Sequence, residues 1–340
     1  MKKKNKRKFW LWGIIAVVLV GLFCFLPLPF YVESPGNAEN ISNFITINGK
    51  ALHQKGKYQL VYVEMAPVTP LVYTVTRTKP YTDLIPKKEV TGDSNYKEYE
   101  TIQKYYMQSA VDSAKYVALK RAKRPATIKY RGIYVMQVQK NSSFKGRLKV
   151  GDTVEKVDGR HYNTAAEYQK AVNSGAKGRT LKLTVSHNGK NKVLKGKTVK
   201  LPNTKRYGIG IIMSDRITVK SPVKIKANME EIGGPSAGLM MTLQMYTQLS
   251  RKNLLKGRNV GGTGTISPDG SVGEIGGVDK KVVSCNKAGC QIFFAPTEHL
   301  PGEKSNYQVA KKTARKIHSK MKVVPVRNVS DAVNYLEKTK

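Results

Sequence analysis

β-branched and aromatic residues cluster at positions 44–48, 58–64 and 71–76, and this patterning predicts three strands within residues 33–92. Asn48-Gly49 marks a turn between the first two. From 96 to 122 polar and aromatic residues recur at three- and four-residue intervals, which predicts a helix. Pro80 and Pro125 punctuate this region. Residues 127–200 form a second unit: Tyr130-Arg131-Gly132-Ile133-Tyr134 reads as a glycine turn entering a strand, followed by a helix over 164–173 and a strand over 181–185. A third unit begins near 205. Strands at 208–213 and 223–227 precede a helix opened by Gly234-Pro235-Ser236-Ala237-Gly238 and running to about 249. Strands at 259–266, 291–294 and 323–326 then alternate with helices at 278–288, 305–321 and 330–336, an α+β arrangement.

The first 32 residues follow neither periodicity. Lys2, Lys3, Lys4, Lys6, Arg7 and Lys8 precede an uncharged run over 9–32 that includes Trp10, Trp12 and an apolar stretch from Ile14 to Leu26. At ~1.5 Å rise per residue such a run crosses a bilayer core of ~30 Å. The basic flank keeps the N-terminus in the cytoplasm and puts residue 33 onward outside. No small-x-small site precedes Glu33, and the run ends in Leu26-Pro27-Leu28-Pro29-Phe30, so it reads as a retained signal anchor, a cleaved signal peptide being the alternative.

The chain has 340 residues, 40% hydrophobic and 24% charged, enough for two globular cores. Its formal net charge of +37 raises nucleic-acid binding, but the lysines are scattered along the whole chain and the location is exported. No nucleic-acid partner is expected; the cationic surface suits anionic headgroups and wall polymers at the cell membrane. Cys285 lies on a predicted helix and Cys290 opens a strand, so the pair reads as two small buried apolar residues instead of a disulfide. No metal site and no cofactor motif is found.

The chemistry concentrates in residues 231–282. A serine hydroxyl is a poor nucleophile until a base removes its proton. Gly233, Gly234 and Gly238 let the chain approach a substrate closely, and N–H groups from Gly234 through Pro235 to Ala237, with a positive helix end, could hold an oxyanion. The plain alternative is a helix-capping serine in a glycine-rich loop. On the following helix Val278, Lys281, Val282 and Cys285 recur at i, i+3, i+4 and i+7, one inward stripe, whereas Lys280 falls with Val283, Ser284 and Lys287 on a face expected to be solvated. A buried lysine with no carboxylate on its stripe carries a depressed pKa, as a general base needs; one that snorkels to water does not.

Two resemblances sharpen this. Arg131-Gly132-Ile133-Tyr134, Leu148-x-x-Gly151-Asp152-x-Val154 and Val157-Asp158-Gly159 leading into a helix resemble a PDZ domain, which implies peptide binding by strand addition at Arg131, Gly132, Ile133 and Tyr134. Residues 205–340 resemble the Lon-family proteolytic domain, closest to the membrane-anchored, PDZ-containing bacterial branch that includes pheromone-processing serine proteases. The resemblance rests on Pro235-Ser236-Ala237-Gly238 and on Gly262-Thr263-Gly264-x-Ile266 through Gly276-Gly277-Val278-Asp279-Lys280-Lys281. It implies a Ser236–Lys281 dyad, a supporting role for Thr263, and peptide or protein substrates, secreted or membrane-bound. It also implies a strand-rich segment before the PDZ unit that completes the protease domain, and leaves a homo-oligomer open. Soluble relatives carry Asp where this chain has Gly233, and no P-loop is present, so ATP-driven unfolding is not implied. Two other readings compete: a Ser-His-Asp hydrolase using Gly234-x-Ser236-x-Gly238 with His299 or His318, and a non-catalytic, membrane-tethered peptide-binding adaptor.

Overall fold

The computed structural model describes residues 2–173, 178–187, 189–202 and 204–339. The side chains of Lys2, Lys3, Lys4, Lys6 and Arg7 in the basic flank lie outside the described residues. Helix α1 (Lys2–Phe25) is followed by β1 (Phe30–Asn40), β2 (Lys57–Pro67), α2 (Pro70–Thr76), β3 (Asp83–Pro86) and α3 (Tyr96–Arg121). The next unit comprises β4 (Thr127–Val138), β5 (Thr153–Val157), α4 (Ala165–Asn173), β6 (Thr180–His187), β7 (Lys190–Lys197) and β8 (Ile211–Lys220). The chain continues through α5 (Gly238–Ser250), β9 (Asn259–Gly262), α6 (Val278–Lys287), β10 (Ile292–Pro296), α7 (Asn306–Lys316), β11 (Lys322–Val326) and α8 (Val329–Lys338). This is a mixed α+β fold. From Lys8 to Phe25, α1 is long and apolar enough to cross a membrane.

One six-stranded sheet in the order β11-β10-β9-β2-β1-β3 joins the two ends of the sequence. Its N-terminal half is antiparallel and its C-terminal half parallel; the seam is the parallel pairing of β2 with β9, where Leu60 faces Gly262. Alternation along the strands sends side chains to opposite faces. Leu60 and Phe294 enter the core under α3, α5 and α8, while Val61 and Phe293 enter the core under α6 and α7. The strand-rich segment before residue 127 thus shares a sheet with the segment after 258, and the second unit is inserted between them.

The second unit has its own core and a five-stranded sheet, β8-β4-β5-β6-β7. Its outer strand β8 runs over Ile211–Lys220, so residues assigned from sequence to the third unit hydrogen-bond to β4 instead. Gly132 is not a turn but an interior residue of β4, at φ +132; a Cβ there would lie 2.3 Å from the Val154 carbonyl oxygen.

Several helices begin where their side chains satisfy free N–H groups. Asn95 and Glu98 form a reciprocal capping box at the start of α3, and Ser305 and Gln308 do so for α7. Residues 71–76, expected as a strand, form α2: Thr69 accepts the Val72 N–H and Pro70 occupies the first turn, a local start signal that outweighs the β-branched run. The last helix turn expected to reach 321 ends at Lys316, with His318 in the left-handed region at φ +51.

Candidate active site

The loop before α5 carries the serine. Gly234 adopts φ +85, a conformation costly for any residue with a Cβ, and Pro235 and Gly238 close a turn through a 3.2 Å bond from the Gly238 N–H to the Pro235 carbonyl. Helix α5 starts at Gly238, so Ser236 sits in the turn just before it and not in its first turn. Two bonds pin the Ser236 carbonyl: the Gly264 N–H at 2.9 Å and the Thr263 hydroxyl at 3.1 Å. On the other side α3 holds the loop. The Gly234 N–H donates to the Gln103 carbonyl at 3.0 Å, and a Cβ on Gly233 would meet the Gln103 Cβ at 2.9 Å. Close approach of α3 therefore fixes the loop at the position where soluble relatives of the resembled family carry Asp.

That bond corrects one expectation. The Gly234 N–H is already engaged and Pro235 has none, so neither can hold an oxyanion. Among the described residues the N–H groups of Ser236 and Ala237, the two nearest the hydroxyl in sequence, meet no acceptor.

Helix α6 is preceded by Gly277, which takes φ +65 and leaves no room for a side chain, its Cβ position being 2.9 Å from Val63. The inward stripe is as the spacing predicts: Val278, Lys281, Val282 and Cys285 are buried. Lys281 is 3% exposed, and its Nζ lies 2.6 Å from Ser236 Oγ and 3.4 Å from Thr263 Oγ1. Thr263, wholly buried, donates its hydroxyl proton to the Ser236 carbonyl and so turns oxygen lone pairs toward the amine. Burial strips water from the ammonium and pushes the Lys281 pKa down to about 8, against a smaller upward pull from Glu33. Neither histidine competes: His299 Nδ1 lies 3.1 Å from the Thr297 carbonyl, His318 is exposed, and among the described residues Lys281 is the side-chain partner of Ser236 Oγ.

Lys280 departs from expectation. It is 2% exposed, not solvated, and its Nζ contacts Asp83, Glu33 at 3.2 Å and Asp279 at 3.4 Å. Burial alone pulls its pKa down; Asp83, Asp279 and Glu33 more than reverse this and hold it above the ordinary lysine value. Cys285 and Cys290 also depart: they form a disulfide with Cα atoms 5.4 Å apart, closing the turn from α6 toward β10. A helix end and a strand start separated by a tight turn are within bridging distance, which assigning the two cysteines to different elements had obscured.

The peptide-binding expectation at Arg131, Gly132, Ile133 and Tyr134 does not fit this sheet. Ile133 and Tyr134 pair with β8 on one side and β5 on the other, leaving no edge for an added strand there. The sheet ends at β8 and β7. Residues Tyr207-Gly208-Ile209-Gly210 lead into β8, with Gly210 at φ +68, and α4 abuts that strand through the Ala165 N–H, which donates to Asp215 at 3.0 Å. The Gly208-Ile209-Gly210-Ile211 run is the glycine-bearing approach to this edge strand.

Residues 117–198 match the PDZ domain family, and residues 217–337 match the Lon protease (S16) C-terminal proteolytic domain, a serine peptidase domain. The chain is similar to the Lon protease of Aster yellows witches'-broom phytoplasma, with 30% identity over 98 residues covering 29% of this chain and 11% of that protein. It is similar to Lon protease 1 of Myxococcus xanthus, with 32% identity over 100 residues covering 29% of this chain and 11% of that protein. The chain thus spans about 11% of the length of these curated relatives. Among solved structures, the PDZ domain of the SdrC-like protein from Listeria monocytogenes is 28% identical, covering 26% of this chain and 92% of that domain, with a TM-score of 0.25.

Proposed function

We propose that this chain is a membrane-anchored endopeptidase in which Ser236 is the nucleophile and Lys281 the general base, acting without ATP on secreted or membrane-bound peptides outside the cell. The observation that carries the reading is the 2.6 Å approach of an amine with a pKa of about 8 to a serine oxygen. Neutral Lys281 takes the Ser236 proton as Oγ attacks the scissile carbonyl carbon. The oxyanion that forms accepts hydrogen bonds from the Ser236 and Ala237 N–H groups. The Lys281 ammonium gives its proton to the leaving amine, which departs and leaves an ester on Ser236. Water, deprotonated by Lys281, attacks that ester; the acid is released and the proton returns to Ser236.

Helix α1 supplies the anchor in this reading, with the N-terminus cytoplasmic and the remainder of the chain outside. The inserted unit recruits substrate by strand addition at β8, the edge next to α4.

The test is purified full-length protein, with Ser236→Ala and Lys281→Met beside the wild type, against a peptide library read by mass spectrometry. Cleavage by the wild type alone supports the dyad. Cleavage that survives Lys281→Met but disappears with His299→Ala supports the triad reading instead, cleavage that survives Ser236→Ala removes Ser236 as nucleophile, and peptide binding without cleavage by the wild type supports the adaptor.

A further inference from the structure

The exit of the chain from α1 is not a loose tether. The Leu28 N–H donates to the Val68 carbonyl at 2.8 Å, the Val68 N–H to the Phe30 carbonyl at 3.1 Å, and the Lys87 N–H to the Pro29 carbonyl at 2.9 Å. These bonds stitch the residues after the helix to the segment before α2 on one side and to the start of the 87–91 helix on the other. Whatever flanks this stitch stands at the height where α1 leaves the bilayer. What flanks it is α2, which packs beside the end of α1, with the Tyr73 ring 6.3 Å from that of Phe30.

Helix α2 presents apolar side chains outward. Leu71 and Val75, one turn apart on the same helix face, are 42% and 44% exposed. Just beyond them Arg77 lies over the Tyr73 ring at 5.3 Å, and Lys79, Lys87 and Lys88 are exposed around the same exit, with Glu89 beside them and Asp83 paired to Lys280. Apolar residues at the level of the acyl boundary, an aromatic ring, and a collar of cations make the pattern of a chain segment lying in a membrane interface.

We infer that α2 is an interfacial anchor. Leu71 and Val75 enter the headgroup–acyl boundary of the leaflet from which the globular part emerges, and Arg77, Lys79, Lys87 and Lys88 bind the phosphates of anionic lipids. The inference rests on α1 being a membrane span. Its consequence is positional: β1 rises from the same exit, and its Glu33, about 10 Å along an extended strand from Phe30, is paired to Lys280 on the helix that carries Lys281. A second point of attachment therefore holds the candidate active site at a fixed small height above the lipid.

The two tryptophans of the chain, Trp10 and Trp12, both lie in α1 and supply an internal control. The full-length protein is reconstituted in vesicles of phosphatidylcholine with phosphatidylglycerol, some lipids brominated at shallow acyl positions. Leu71→Trp, and separately Val75→Trp, are placed in a Trp10→Phe, Trp12→Phe background, with Val193→Trp on β7 as an exposed reference. Expected are blue-shifted emission at positions 71 and 75, loss of about half or more of it to the bromines, weaker loss when phosphatidylglycerol is omitted, and no loss at 193. Quenched wild-type Trp10 and Trp12 with unquenched tryptophan at both 71 and 75 overturns the anchor while sparing the span. Unquenched Trp10 and Trp12 overturn the span and the anchor with it.

Discussion

Lys280 and Lys281 are consecutive, both are buried, and their ammonium groups are driven in opposite directions. Lys280 meets Asp83, Glu33 and Asp279, whereas Lys281 meets two hydroxyls. One helix thus carries a locked cation and a titratable amine side by side. The first keeps the Glu33 carboxylate engaged, so that its field on the second stays small.

In the proposed dyad Lys281 sets the pH dependence of cleavage. Its pKa of about 8 lies below the 10.5 of a free lysine. At pH 7 only about a tenth of the enzyme holds the neutral amine, so kcat/KM rises about tenfold per pH unit and levels off above about 8. The unfolded chain binds more protons than the folded one between about 8 and 10.5, so stability rises with pH across that window. Below it, the buried ammonium costs on the order of 3 kcal/mol. Lys281→Met therefore abolishes cleavage yet raises Tm at pH 7 by several degrees, a combination that calorimetry and a peptide assay check together. A lowered Tm would show that the amine is not buried as a strained charge.

Lys280 and Glu33 tune that profile in opposite senses. Lys280→Met frees the Glu33 carboxylate to hold the proton on Lys281, which moves the rising limb to higher pH and lowers the rate at pH 7 by up to about tenfold. Glu33→Gln moves the limb to lower pH. Superimposable pH–rate profiles for the three proteins would remove Lys280 from the electrostatics of the site.

Gly233 is fixed by the approach of α3. Gly233→Ala forces the loop away from Gln103, where the added Cβ would stand 2.9 Å from the Gln103 Cβ. A displacement of about 1 Å in Ser236, the proposed nucleophile, costs on the order of a hundredfold in kcat, with a smaller effect on Tm. Gln103→Gly in the same chain opens the space and restores part of the rate, which steady-state kinetics on the double variant reads directly.

Gly261 lies under the disulfide. A Cβ there would lie 2.0 Å from Cys285 Sγ and 3.0 Å from Cys290 Sγ. Gly261→Ala destabilises by several kcal/mol, and less when Cys285 and Cys290 are both alanine, because the side chains that clash have been shortened. Denaturant melts of the four proteins give the coupling, and additive values would mean that strand β9 and the disulfide do not touch.

Local pattern was enough to single out Ser236 and Lys281 as candidates, and the fold brings their side chains to 2.6 Å. The Gly-Pro-Ser-Ala-Gly run declares a backbone that only small residues permit, and the stripe of Val278, Lys281, Val282 and Cys285 declares which side of a helix turns inward. Thr263 came from resemblance, and its bond to the Ser236 carbonyl gives that assignment a physical basis. Periodicity ranks faces by the polarity of a helix's own residues; it says nothing about charges arriving from elsewhere. Lys280 is buried because residues 33 and 83, about 250 and 200 positions away in the chain, bring carboxylates to it across the sheet. In the same way β4 reads as a binding strand until β8 occupies its edge, and the Gly234 N–H reads as free until α3 supplies an acceptor. The sequence by itself determined which residues are chemically equipped; the tertiary structure alone decided which were already engaged, because hydrogen bonds and ion pairs form between groups that only long-range chain closure brings together.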